Sequence, residues 1–273
     1  VGYLEWAFGD WLTLGATFLT ISAALLIVMV LARRLREWWW LPGAAAFVCL
    51  AAIFAFASAY LASGTKPLRD PELRASAEAL QLDQGISGIP VLVEDVSGET
   101  SQANAYAIGL GPSRRIVLWS TMVDGTFPDD AVRVVLAHEV AHHSRNHLWK
   151  AIGWFALLAF PSAWLLMRLT RRRGGMAEPA AVPLALLAVA ALQRALAPAQ
   201  NWIGRRMEAE ADWKALESTR SPGAARELFV GFATTSLGDP DPPGWAHVLL
   251  DTHPTLAQRV AMAEAWRARS APR

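Results

Sequence analysis

Four long apolar runs limit what this chain can fold into. Residues 11–32 carry no charge over about 22 positions, enough for a helix to cross a bilayer. Glu5 and Asp10 precede this run, where a cleavable leader would carry positive charge, so it reads as a retained transmembrane helix. Arg33, Arg34 and Arg36 follow it. Trp38, Trp39 and Trp40 come next, the aromatic side chains expected at a membrane interface. Residues 41–62 read as a second span and residues 149–169 as a third, closed by Arg168, Arg171, Arg172 and Arg173. The fourth, residues 180–197, is weaker and carries Pro183, Gln193 and Arg194, with Arg194 read as snorkelling toward a helix end. The first residue is Val1, which points to a processed or trimmed N-terminus.

The composition follows from these runs. The chain is 53% hydrophobic and only 18% charged, against about 25% charged in ordinary soluble domains. A net charge of +1 leaves no nucleic-acid footprint. Cys49 is the single cysteine, so no intrachain disulfide can form, and its apolar surroundings make it a poor zinc ligand.

Between the second and third runs the pattern changes. Residues 63–71 read as a polar linker, and 72–82 as a short helix. Alternating segments at 89–95, 103–110 and 115–120 read as three strands punctuated by glycines. Pro128, Asp129 and Asp130 then suit the first turn of a helix. Val132, Val135, Leu136, Val140 and Ala141 give that helix an apolar stripe.

On this helix lies His138-Glu139-Val140-Ala141-His142. Histidines four apart share one helix face and can bind one zinc ion, with the intervening glutamate in reach of a zinc-activated water. A catalytic zinc needs a third protein ligand. Met207-Glu208-Ala209-Glu210-Ala211-Asp212 is the dense acidic cluster downstream of the fourth run. Glu208 and Asp212 share a face and Glu210 points elsewhere. Glu208 could bind the metal while Asp212 supports a ligating histidine. Spacing alone leaves open a solvated acidic face balanced by Arg205 and Arg206. His143 reads as solvated, His147 as structural, and His247 as packed near Trp245.

At this point the chain resembles the integral-membrane zinc metalloproteases of the CAAX prenyl protease type, related to the bacterial heat-shock membrane protease, gluzincins with an HExxH motif. The resemblance rests on Asn104 to Gly109 and Arg115 to Leu118, similar to the strand pair before the zinc helix. It rests also on Val135 to His142, on His147, on Arg206 to Asp212, and on Thr252-His253-Pro254-Thr255 with Arg259. It implies that His138, His142 and Glu208 hold one zinc ion per chain, that Glu139 is the general base, and that Asp212 supports the site. His253, Arg259 and Asn104 are candidates to hold the oxyanion; alternatively, His253 and Arg259 hold the C-terminal helix against the sheet. The matches run over roughly residues 65 to 267. Members of the prenyl-protease group carry more spans before the catalytic region than the two seen here, so neither their enclosed membrane chamber nor a prenylated substrate follows from these residues.

The expected fold class is mainly α: multi-span membrane helices with a zincin-like α+β catalytic part carrying a small β-sheet. The expected organisation is two transmembrane helices in 1–62, the sheet and zinc-motif helix in 63–148, and two further spans in 149–200. A helical segment in 201–273 brings the third ligand and the His-Pro motif. The zinc-motif helix runs almost without a break into the third span, which places the site at the membrane surface.

The expected function is a zinc-dependent metalloendopeptidase acting on a protein or peptide substrate in the cell membrane, as a multi-pass protein. A membrane sensor or chaperone-like protein that keeps the zinc fold is the alternative, and a transporter is disfavoured by the scarcity of ionisable residues in the spans. The arginine-rich loops favour a catalytic part outside the cell, whereas the resemblance favours the cytosolic face.

Overall fold

The computed structural model describes residues 3–62, 64–236 and 239–270. In chain order the elements are α1 (Tyr3–Leu35), α2 (Trp40–Leu61), β1 (Thr65–Pro67), α3 (Pro71–Asp83), β2 (Val91–Glu94), β3 (Ala105–Ile108) and β4 (Arg115–Trp119). They continue with α4 (Asp129–Ser144), α5 (His147–Thr170), α6 (Val182–Thr219), α7 (Pro222–Ser236), α8 (Gly244–Leu250) and α9 (Leu256–Ser270). The fold is thus mainly α with one small sheet. Among the described residues, four helical stretches, Trp11–Trp38, Trp40–Leu61, His147–Arg173 and Pro179–Thr219, are long and apolar enough to cross a membrane.

The chain forms two compact units. One comprises Val1–Leu50 and Gly153–Ala195. Its helices leave large apolar side chains such as Trp11, Phe18, Leu19 and Leu26 exposed, a surface suited to hydrocarbon rather than water. Its buried cluster gathers Ala32, Trp39, Met167, Met176, Ala181 and Ala185.

The second unit comprises Ala51–Ile152 and Leu196–Arg273. Its sheet has the order β1-β2-β4-β3. β2 and β4 are parallel, while β1 and β3 pair antiparallel at the two edges. Ile116, Val117 and Leu118 of central β4 are fully buried. Ile116 and Leu118 share a core with Leu73 and Leu80 of α3, Val132, Leu136 and Val140 of α4, and Leu216, Leu228, Phe229 and Ala263 of the helices that follow.

Local chemistry fixes the ends of these elements. Asp70 caps α3 by accepting from the Glu72 and Leu73 backbone N–H groups at 2.9 Å each, with Pro71 in the first turn. The Gln81 side chain meets both the N–H and the C=O of Ile89, so the approach to β2 is buried without orphaned polar groups. Gly109 ends β3 at φ 90°, and a Cβ there would lie 2.2 Å from the Ser113 carbonyl oxygen. Only glycine tolerates both demands.

Two expectations need correction. The stretch read as a linker contains β1, which pairs Thr65, Lys66 and Pro67 with Glu94, Val93 and Leu92; residue 63 lies outside the described residues. Pairing partners, not local composition, make it a strand. The fourth apolar run and the acidic segment after Asn201 form one helix, α6, which carries Pro198 internally. As expected, α4 passes into α5 almost without a break: Arg145 and Asn146 alone lie between them, and Asn146 is left-handed at φ 55°. Asparagine is among the few residues that adopt this conformation readily.

Candidate metal centre

The core-facing stripe of α4 buries its apolar residues and, with them, His138 and Glu139. The helix spacing puts His138 and His142 one turn apart, with their Nε2 atoms 3.1 Å from each other. From α6, Glu208 brings its carboxylate to both: Oε2 lies 3.2 Å from His138 Nε2, and Oε1 lies 3.5 Å from His142 Nε2. One ligand atom from each of the three residues lies within 4.8 Å of the other two.

The outer nitrogens are engaged too. His138 Nδ1 lies 2.9 Å from Asp212 Oδ1. A carboxylate at that distance accepts a hydrogen bond from the ring Nδ1–H, which points Nε2 at the centre. Asp212 is itself gripped by Arg259, which donates from Nε at 2.8 Å and from Nη2 at 2.5 Å. The Arg259 guanidinium also stacks over Phe229, 4.3 Å from the ring centroid. On the other histidine, His142 Nδ1 lies 3.0 Å from His147 Nδ1, and His147 Nε2 lies 3.2 Å from Glu210 Oε2.

The electrostatics follow from burial and these partners. Burial disfavours charge on the His138 ring, but the Asp212 hydrogen bond and the charges of Asp212 and Glu208 outweigh it and raise its pKa to about 10, so a metal binding at Nε2 would displace a proton. Burial pushes the Glu139 carboxyl up, against the lowering pull of His138 and His142. Glu139 lines a pocket of about 80 Å³ together with Asn104, Ala105, Val135, Phe229 and His253.

The donor set fits a divalent metal. Glu208 Oε2 is buried and has no hydrogen-bond partner among the described residues, although the His138 nitrogen faces it. Two imidazoles and a carboxylate converging on one point need a proton or a cation between them, and two histidines with one glutamate form a known catalytic zinc set.

Residues 40–267 match the family model described as Peptidase family M48. The chain belongs to that family. Among the M48-like relatives, it is 29% identical over 208 residues to the uncharacterized metalloprotease YhfN of Bacillus subtilis, covering 72% of this chain and 49% of that protein. It is 41% identical over 95 residues to CAAX prenyl protease 1 of Saccharomyces cerevisiae, covering 34% of this chain and 21% of the relative. The chain spans about half the length, or less, of the curated relatives it matches. The crystal structure of S. mikatae Ste24p has the same fold, with a TM-score of 0.77 at 21% identity over 95% of this chain and 66% of that one.

The M48 fold here brings together His138, Glu139, His142, Glu208, Asp212 and His253, the last with Nε2 3.4 Å from Glu208 Oε2. Glu210 lies outside the cluster and pairs with Arg145, Lys150 and His147. Arg205 and Arg206 do not balance an acidic face. Arg205 donates to the carbonyls of His247 and Asp251, and Arg206 stacks over Trp202. His143, read as solvated, is buried with Nε2 2.9 Å from the Arg115 carbonyl. Its burial holds the ring well below the usual histidine range, at about 4.

Two supporting residues escaped the sequence reading. Gly204 lets the segment before His253 approach α6, since a Cβ there would stand 3.0 Å from the Thr252 carbonyl oxygen. Arg205 ties down the same segment through Asp251. A glycine and an arginine one turn before Glu208 were visible signals, but nothing local named their partner some 47 residues away.

Proposed function

We propose that this protein is a membrane-embedded, zinc-dependent metalloendopeptidase that hydrolyses peptide bonds of a protein or peptide substrate, and that it works as a multi-pass protein of the cell membrane. The single observation that supports this most is the convergence of His138, His142 and Glu208 on one point with Glu139 beside them, in a chain of Peptidase family M48. His138, His142 and Glu208 would hold one zinc ion. Bound zinc supplies Lewis acidity and brings the pKa of water down to about 7.

The chain's own residues supply the rest. Glu139 takes a proton from the attacking water and returns it to the departing amine nitrogen; a carboxyl raised by burial suits both transfers. Asp212 fixes the His138 ring in the tautomer that leaves Nε2 free for the metal, and Arg259 keeps Asp212 ionised and in place. That engagement makes Arg259 a positioning residue. His253, which lines the same pocket, is the candidate hydrogen-bond donor to the developing oxyanion. An extended substrate would add to the edge strand β3, whose first residue, Ala105, lines the pocket with Asn104.

The test is Glu139→Gln in the full chain, reconstituted in detergent with a casein-like substrate. The variant is expected to retain zinc by metal analysis and to lose cleavage by about a hundredfold or more. Cleavage at the parental rate would overturn the base assignment. A parental protein that cuts equally well after zinc is stripped by a chelator would overturn the metalloprotease reading itself.

A further inference from the structure

The first unit contains a cavity of about 920 Å³, where α1 ends and α2 begins, beside the turn after α5. Its lining includes Arg33, Arg34 and Arg36 from the first connection and Arg171 from the second, against one carboxylate, Glu37. Glu37 stands 3.5 Å from Arg171 and neutralises at most that one charge. The floor is apolar: Trp39 and Met176 line it and are 4% and 2% exposed. Arg33 Nε donates to the Ala177 carbonyl at 3.2 Å, which ties the two connections together.

Arg36 and Arg220 are the arginines with a left-handed backbone among the described residues, and of these Arg36 lines the cavity. Arg36 takes this conformation at φ 53°, directly after α1. Helices that end this way normally place glycine or asparagine there, because other side chains strain the backbone. An excess of positive charge that only orients the spans would be met by arginines anywhere on these connections. It does not require their convergence on one cavity.

We propose that this cavity binds the phosphate-bearing headgroup of an anionic phospholipid. Guanidinium groups pair with phosphate oxygens in bidentate fashion, and a headgroup diester offers them at the membrane interface. Basic pockets among transmembrane helices hold such headgroups. The volume lies within the range of small-molecule sites, and exposed Trp38 on the lining suits the same depth. The inference is independent of the metal centre, and its test reads no proteolysis.

The full chain is purified in a neutral detergent and offered phosphatidylglycerol, phosphatidylcholine or inorganic phosphate, and retained molecules are counted by native mass spectrometry. Phosphatidylglycerol is expected to be retained in preference to phosphatidylcholine. Retention is expected to fall about fivefold for each arginine removed in Arg34→Gln, Arg36→Gly and Arg171→Gln. Arg36→Gly is expected to keep or raise the melting temperature, since glycine suits the left-handed position, so its loss of lipid cannot be ascribed to misfolding. Equal retention of the two lipids, or full retention by the triple variant, overturns the proposal. Binding of inorganic phosphate that depends on these arginines, with no retained phosphatidylglycerol, overturns the lipid assignment in favour of a free phosphate.

Discussion

His147 faces His142 nitrogen to nitrogen, with the two Nδ1 atoms 3.0 Å apart. Only one of the two can carry the shared proton. A metal on His142 Nε2 requires that proton on His142 Nδ1, so His147 must accept there and donate from Nε2 to Glu210. The first residue of α5 therefore orients a proposed ligand on α4, across the turn at Asn146.

His147→Ala is expected to weaken zinc binding about tenfold to a hundredfold, the usual cost of losing a group that orients a metal-bound histidine. Glu210→Gln is expected to do less, because Glu210 is partly exposed and shared with Arg145 and Lys150. Competition against a chelator of known affinity measures both. Unchanged affinity in His147→Ala would make His147 a packing residue only.

Glu208 and Glu210 of α6 separate cleanly by partner. Glu208→Ala is expected to lose stoichiometric zinc, since it removes the sole carboxylate among the three converging residues. Glu210→Ala is expected to keep it. Metal analysis of both purified variants decides, and the reverse pattern would displace Glu208 as third ligand.

Asp212 and Arg259 form a buried pair whose side chains are 3% and 10% exposed. Removing one partner leaves the other buried and uncompensated, which costs about 3–5 kcal/mol. Arg259→Met is expected to lower the unfolding midpoint sharply, and adding Asp212→Asn is expected to recover part of the loss. A double variant as unstable as the sum of the two singles would show that the pair is not coupled.

Gly204 sets the height of the segment before His253. Gly204→Val is expected to press on Thr252, displace His253 and lower kcat about tenfold or more while zinc content stays normal. Kinetics alongside metal analysis separates this outcome from a loss of the metal.

How much was legible beforehand follows from the range of each interaction. The four apolar runs, the α4 stripe and the short helix read at 72–82 are local patterns, and local patterns survive reading in one dimension. The face shared by His138 and His142, and that shared by Glu208 and Asp212, came from helical spacing. β1 was missed because three residues become a strand only when Leu92 to Glu94 lie alongside. His143 was misjudged because its 100° offset from His142 points to the Arg115 carbonyl, a surface supplied by β4.

The sequence by itself determined the ligand types, their spacing within each helix and the length of the apolar segments, because these depend on neighbours a few residues away. Only the tertiary structure brings the Glu208 carboxylate up to the two imidazoles and sets His147 behind one of them. It also placed Thr252 against Gly204 and gathered four arginines around one cavity. Those contacts join residues dozens of positions apart, and their geometry is fixed by how the helices pack, which no local pattern encodes.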